Sequence, residues 1–244
     1  MEIVDAVNEN LSLSENCEFT IEANPATLST EKLSVMTDYG VNRLSIGCQS
    51  TNEAELKKLS RIHTFDEFCE SFAMARKAGI NNISVDLMYG IPEQTLESFT
   101  KTLNEACALS PEHISAYGLK IEEGTPFYKK KDLLDLPDED KTCDFYLQTV
   151  SSLSKHGFNQ YEISNFSIPG YESKHNLKYW HCEEYLGIGA SAHSFIDGKR
   201  FYYERSIDDF INGKPPVDDG FGGDEEEYIM LALRLTEGLV FEKF

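Results

Sequence analysis

The chain has 244 residues, 41% apolar and 26% charged, which suits one α/β domain with an appendage. With 42 Asp and Glu against 22 Lys and Arg the net charge is −20, a poor match to phosphate backbones, so no nucleic-acid partner is expected. No apolar run reaches membrane-spanning length, and MEIVDAVNENLSLS lacks the basic and apolar regions of a signal peptide, so the expected compartment is the cytoplasm.

From residue 17 to about 120 strands and helices alternate. EIVDAVNEN reads as a short helix feeding the strand CEFTIEA. STEKLSVMTDY is a helix capped by Ser29 or Thr30 and stopped at Gly40. VNRLSIGCQ is the next strand, followed by helical NEAELKKLS and TFDEFCESFAMARKAG, the latter with a Thr64/Glu67 capping box and Gly79 at its end. NISVDLMYG, TLESFTKTLNEACAL and HISAYGLKI follow as strand, helix and strand. This alternation predicts a parallel sheet covered by helices. Four βα strands are visible against the eight of a closed barrel, so an open, partial (β/α) barrel is expected over 1–130. Over 131–244 the pattern predicts a smaller α+β subdomain. It opens with the long helix DEDKTCDFYLQTVSSLSKHG and closes with helical SIDDFING and DEEEYIMLALRLTEG.

Cys17, Cys48, Cys69, Cys107, Cys143 and Cys182 form no C-x-x-C pair, and the nearest two are 21 residues apart. That excludes a zinc ribbon, and reduced thiols are expected, with Cys107 a small buried hydrophobe. Gly187-x-Gly189-x-x-Ala192 matches a loose dinucleotide fingerprint with Asp208 about 20 residues on. No helix follows it, so a close backbone approach is the better reading of these glycines.

Ligands of parallel α/β sheets bind beyond the carboxyl ends of the strands. Glu22 and Asn24 stand there on the first strand, Gln49 on the second, Asp86 on the third and Tyr117 on the fourth. Each has a plainer alternative. Glu22 could pair with a lysine, Asp86 could cap a helix or brace Arg43, and Gln49-Ser50-Thr51 could cap the next helix. Together they suit a ligand with ammonium or sugar hydroxyl groups, and Arg61 adds a fork for a carboxylate.

TIEANPATLS, VNRLSIGCQS, LSRIHT, ISVDLMYGIPEQT and HISAYGLKIEEGTPF, in this order, resemble the core of the HemN/HemW family of radical S-adenosylmethionine (SAM) proteins. The resemblance implies a SAM site made by Glu22, Gln49, Arg61 and Asp86, with Tyr117 on the same rim. Arg61 would meet the methionine carboxylate, Gln49 and Asp86 the ribose, and Glu22 an amino or hydroxyl group. His175-Asn176-Leu177-Lys178-Tyr179-Trp180 is similar to the H-N-x-x-Y-W motif of the HemW branch. It implies a haem chaperone with His175 as candidate axial ligand and haem-accepting proteins as partners. The family's C-x-x-x-C-x-x-C motif for a 4Fe–4S cluster does not occur in this sequence. The expectation is a chain shortened at both ends that does not itself assemble the cluster, with no catalytic residue assigned. Two alternatives stand beside this reading. One is an oxygen-independent coproporphyrinogen III oxidase, whose four-carboxylate substrate suits this acidic chain poorly. The other is an inactive structural fragment. An uncovered sheet edge would favour a homo-oligomer.

Overall fold

A computed structural model describes residues 2–240. By contact density the chain divides into two compact units, 1–160 with 164–172 and 161–163 with 173–244. The change in composition near residue 130 is not where the compact units part. The long helix after it packs on the sheet, and the strand after that helix joins the sheet.

The first unit begins with α1 (Glu2–Asn10) and β1 (Thr20–Ala23), then a 3-10 turn over Pro25–Thr27. Next come α2 (Thr30–Asp38), β2 (Arg43–Gln49), α3 (Glu53–Lys58) and α4 (Phe65–Lys77). Then follow β3 (Ile83–Tyr89), α5 (Leu96–Ala108), β4 (His113–Gly118), α6 (Glu139–Lys155), β5 (Asn159–Glu162), of which residues 161 and 162 are counted with the second unit, and β6 (Asn165–Ser167). Caps act as expected. Ser29 caps α2, and Thr64 and Glu67 close a reciprocal box on α4. Gly40, Gly79 and Gly157 take positive φ just beyond their helices.

The sheet order is β1-β2-β3-β4-β6-β5, with β1 to β4 parallel and β6 antiparallel to β4. Register and the two-residue period of strands sort its side chains onto two faces. Leu44, Ile46, Ile83, Val85, Leu87, Ile114 and Phe166 enter one core with Leu33, Phe68, Phe99, Leu103 and Phe145 of the helices. Each such side chain contributes about 1.5–3 kcal/mol by leaving water. The opposite face is polar: Thr20 and Glu22, Arg43 and Ser45, Ser84 and Asp86, His113 and Ser115, Asn165 and Ser167. A sheet with one apolar and one polar face is the frame on which a polar site can stand.

The second unit holds α7 (Lys174–Trp180), β7 (His193–Ile196), β8 (Lys199–Tyr202), α8 (Ile207–Ile211), β9 (Val217–Phe221) and α9 (Glu225–Ala232). β7, β8 and β9 form an antiparallel sheet. Asp197 and Gly198 both take positive φ and close a tight two-residue hairpin between β7 and β8. Gly187 shows the close backbone approach: a Cβ there would lie 2.2 Å from the carbonyl oxygen of His193. Arg200 ties β8 to α9, with Glu227 at 2.6 Å and its guanidinium 4.5 Å over the Phe195 ring.

Candidate functional site

The rim of β1–β4 carries one candidate site. Pro25 starts the 3-10 turn after β1, which leaves Glu22 exposed at the strand's end. Two residues of β2 oppose one of β3 between Gly47 and Gln49, and Gln49 takes φ 66°. This bulge ends the ladder and turns the Gln49 amide back over Gly47. A Cβ on Gly47 would lie 2.8 Å from Gln49 Nε2, so glycine is what allows the amide to fold there.

Asp86 is the centre of the rim. The Ser45 hydroxyl lies 3.0 Å from each of its carboxylate oxygens. Burial raises its carboxyl above the usual range of 3.8, and the neighbouring Glu22 charge adds to this. Hydrogen bonds from Ser115 and Ser45 and the positive charge of Arg43 act in the opposite direction. These two carboxylates, on β1 and β3 with β2 between them, thus repel, and a cationic or hydroxyl-rich ligand between them would relieve the repulsion. Arg61 Nη1 donates to Asn24 Oδ1 at 3.3 Å, which joins the R-x-H segment to the E-x-N-P turn. One donor of the guanidinium is used there, out of five. Tyr117, 41% exposed, stands on β4 opposite Met88 of β3.

The structure therefore links Glu22 to Asp86 and Arg61 to Asn24. Asp86 also feels the positive charge of Arg43, the contact that the bracing role requires. Gln49-Ser50-Thr51 does not cap α3, because Asn52 does. The Ser50 hydroxyl instead donates to the buried Glu55 at 2.6 Å. Glu55 also accepts from Gln94 at 2.9 Å and Ser98 at 2.5 Å, and Gln94 in turn holds the Gly90 N–H at 2.8 Å. This clasp fixes the loops after β2 and β3 against each other. Sequence reasoning missed Ser45, Ser115 and Glu55, whose only signal was their strand parity or helix position. His63 is buried, its Nε2 3.3 Å from the carbonyl of Cys48, which is a structural contact.

The donor set fits SAM: two carboxylates for amino and hydroxyl groups, a guanidinium fork, and a glycine-cradled amide. It does not fit an iron–sulfur cluster. Among the described residues no group of three or more His, Cys, Asp or Glu side chains is arranged to hold a metal ion. Burial pushes the Cys107 thiol up to about 12, and Cys48 is raised by burial too, so both stay protonated.

A second candidate site lies on α7, in the other unit. Ser173 caps this helix by accepting from the Asn176 N–H at 3.3 Å. Helical spacing then places His175 one turn before Tyr179. Their rings meet edge to face at 4.8 Å, and His175 Nε2 lies 2.9 Å from the Tyr179 hydroxyl. Tyr179 also meets Tyr185 edge to face at 4.5 Å. Behind them Arg234 lies 4.2 Å over the Trp180 ring and pairs with the buried Glu162 at 3.1 Å. An exposed imidazole beside two phenol rings suits a flat aromatic ligand whose metal accepts nitrogen. His175 and the rim residues belong to different units.

Among the described residues no helix is long and apolar enough to cross a membrane. Residues 1–106 match the model of the Radical SAM superfamily. The chain is 40% identical to the heme chaperone HemW of Bacillus subtilis, over 99% of this chain and 67% of that protein. It is 39% identical to HemW of Lactococcus lactis, over 99% of this chain and 66% of that protein. For HemW of Escherichia coli the identity is 40%, over 81% and 52%. The chain thus spans about two thirds or less of these curated relatives. Among solved structures, coproporphyrinogen III oxidase (HemN) of Escherichia coli superposes with a TM-score of 0.79 at 21% identity, over 95% of this chain and 57% of that one. That likeness is one of fold: a radical SAM α/β sheet clothed by helices. The chain belongs to the HemN/HemW family of radical SAM proteins.

Proposed function

We propose that this chain is part of a haem chaperone of the HemW type, which holds SAM on the rim of its parallel sheet and receives haem at His175. The observation that carries the haem assignment is the His175 imidazole, exposed on α7 within a Tyr179–Tyr185 aromatic cluster. The similarity to three HemW proteins at about 40% identity supports it. Haem is cargo in this reading. His175 would give its Nε2 lone pair to the iron, and the tyrosine rings would line one side of the macrocycle.

SAM, when bound, supplies a sulfonium bearing an adenosyl group. Arg61 would hold the methionine carboxylate, Gln49 and Asp86 the ribose hydroxyls, and Glu22 the amino group or a hydroxyl, with Tyr117 beside them. Among the described residues no group is arranged to hold the family's 4Fe–4S cluster, so no radical step is assigned to this chain. Proteins that accept haem are the expected partners, in the cytoplasm. A second copy of the chain could pair with the outer edge of β1, which among the described residues has a neighbour on one side only in the sheet order.

Titration with haemin tests the reading. The wild-type chain is expected to give a Soret shift that is lost in His175→Ala; no shift in the wild type sinks the chaperone assignment. Anaerobic conversion of coproporphyrinogen III to its divinyl product would replace it with the oxidase reading. A net charge of −20 argues against that tetra-anionic substrate.

A further inference from the structure

We infer that Tyr179 is a latch on the haem site: its hydroxyl occupies His175 Nε2 in the resting protein and must withdraw before iron can bind there. The inference rests on the haem reading above and goes beyond it by assigning a second residue of the motif.

Iron takes the lone pair of a neutral imidazole nitrogen. The Tyr179 hydroxyl lies 2.9 Å from Nε2, a full hydrogen bond. If the phenol donates, it uses the very lone pair that the metal needs. If Nε2 instead carries the proton and donates to the phenol oxygen, there is no lone pair at that atom. Both tautomers leave Nε2 unable to ligate until the contact opens.

The contact is built rather than incidental. The helical i,i+4 spacing sets the two rings edge to face at 4.8 Å, and Tyr185 holds the far side of Tyr179 at 4.5 Å. A cavity of about 290 Å³ lies beside the ring, lined in part by Tyr179, Trp180, Tyr185, Phe195 and Leu231. It gives the phenol a place to go without unfolding α7. The latch would keep Nε2 from taking up stray metal ions, at the cost of one hydrogen bond when haem arrives.

The test compares haemin binding to the wild-type chain, Tyr179→Phe and His175→Ala, by Soret titration and stopped flow. Tyr179→Phe keeps the ring contacts and removes the hydroxyl. It is expected to bind haemin about 3- to 10-fold more tightly, the worth of one net hydrogen bond, with faster association and an unchanged Soret maximum. Unchanged or weaker affinity overturns the latch, and a displaced Soret maximum does so by making Tyr179 a ligand. If His175→Ala binds as the wild type does, the ligand assignment itself fails and the latch falls with it. Matching thermal unfolding of the wild type and Tyr179→Phe keeps a folding defect apart from these outcomes.

Discussion

Asp86 shows how a residue-level choice between two roles can be decided by measurement. Its folded carboxyl sits above its ordinary value of 3.8, chiefly through burial. A raised carboxyl favours the folded state most when protonated, so its contribution is present below the ordinary value and lost as pH rises through the raised one. Asp86→Asn keeps the shape and the hydrogen-bonding capacity toward Ser45 and Ser115 while removing a partly desolvated charge. Its Tm at neutral pH is expected to be unchanged or higher, with SAM affinity down at least about tenfold, one charge-assisted contact. A Tm lower by more than about 4 °C, roughly 1 kcal/mol or more for a chain of this length, would mean that Asp86 serves Arg43 and not a ligand. At this scale the motifs singled out Glu22, Gln49, Arg61 and Asp86 as candidates. Ser45 and Ser115 were not, because a serine on a strand carries no signal until the register sets it beside a carboxylate. Tyr179 stood out only as part of a motif; its contact with Nε2 needs α7 to exist.

Among the elements, the strands and helices of the βα pattern were read with their caps, whereas α7 and β9 were not. α7 has seven residues, too few for a helical period to show, and in its sequence KHNLKYW Leu177 is the single aliphatic residue. β9, VDDGF, holds two acids and a glycine, so only its pairing with β8 makes it a strand. The β2 bulge is the element on which the rim turns. In Gly47→Ala the new methyl meets the far end of a flexible side chain, Gln49 Nε2 at 2.8 Å, and not backbone. Stability is therefore expected to change by less than about 1 kcal/mol. The Gln49 amide must swing out, and SAM binding measured by calorimetry is expected to weaken several-fold. Unaltered SAM affinity would remove Gln49 from the site.

For the molecule as a whole, pH reports on the polar face of the sheet. His113 is fully buried there, with Nδ1 2.8 Å from the Ser84 hydroxyl. Burial, helped by the Arg43 charge, holds it well below its ordinary value of 6.5. The unfolded chain thus binds a proton near pH 6.5 that the folded chain refuses. Stability is expected to be complete above that value and to fall as pH drops below it. Urea unfolding between about pH 7.5 and 5.5 should show the midpoint decline in the wild type and a flatter profile in His113→Gln. Parallel profiles would show that His113 does not govern acid sensitivity. Easing of the −20 net charge at low pH acts on both proteins alike.

The sequence by itself determined what local periodicity and motif order can carry. These were a parallel sheet under helices, its caps, the rim carboxylates and amide, and kinship with radical SAM proteins. Only the tertiary structure decided what depends on pairing between distant segments. β6 returns antiparallel to β4, polar side chains from five strands share one face, Glu55 clasps two loops, and α7 sets a phenol on the His175 imidazole nitrogen. Periodicity is a property of neighbours along the chain, but register and burial are set by free energies summed over residues far apart in it.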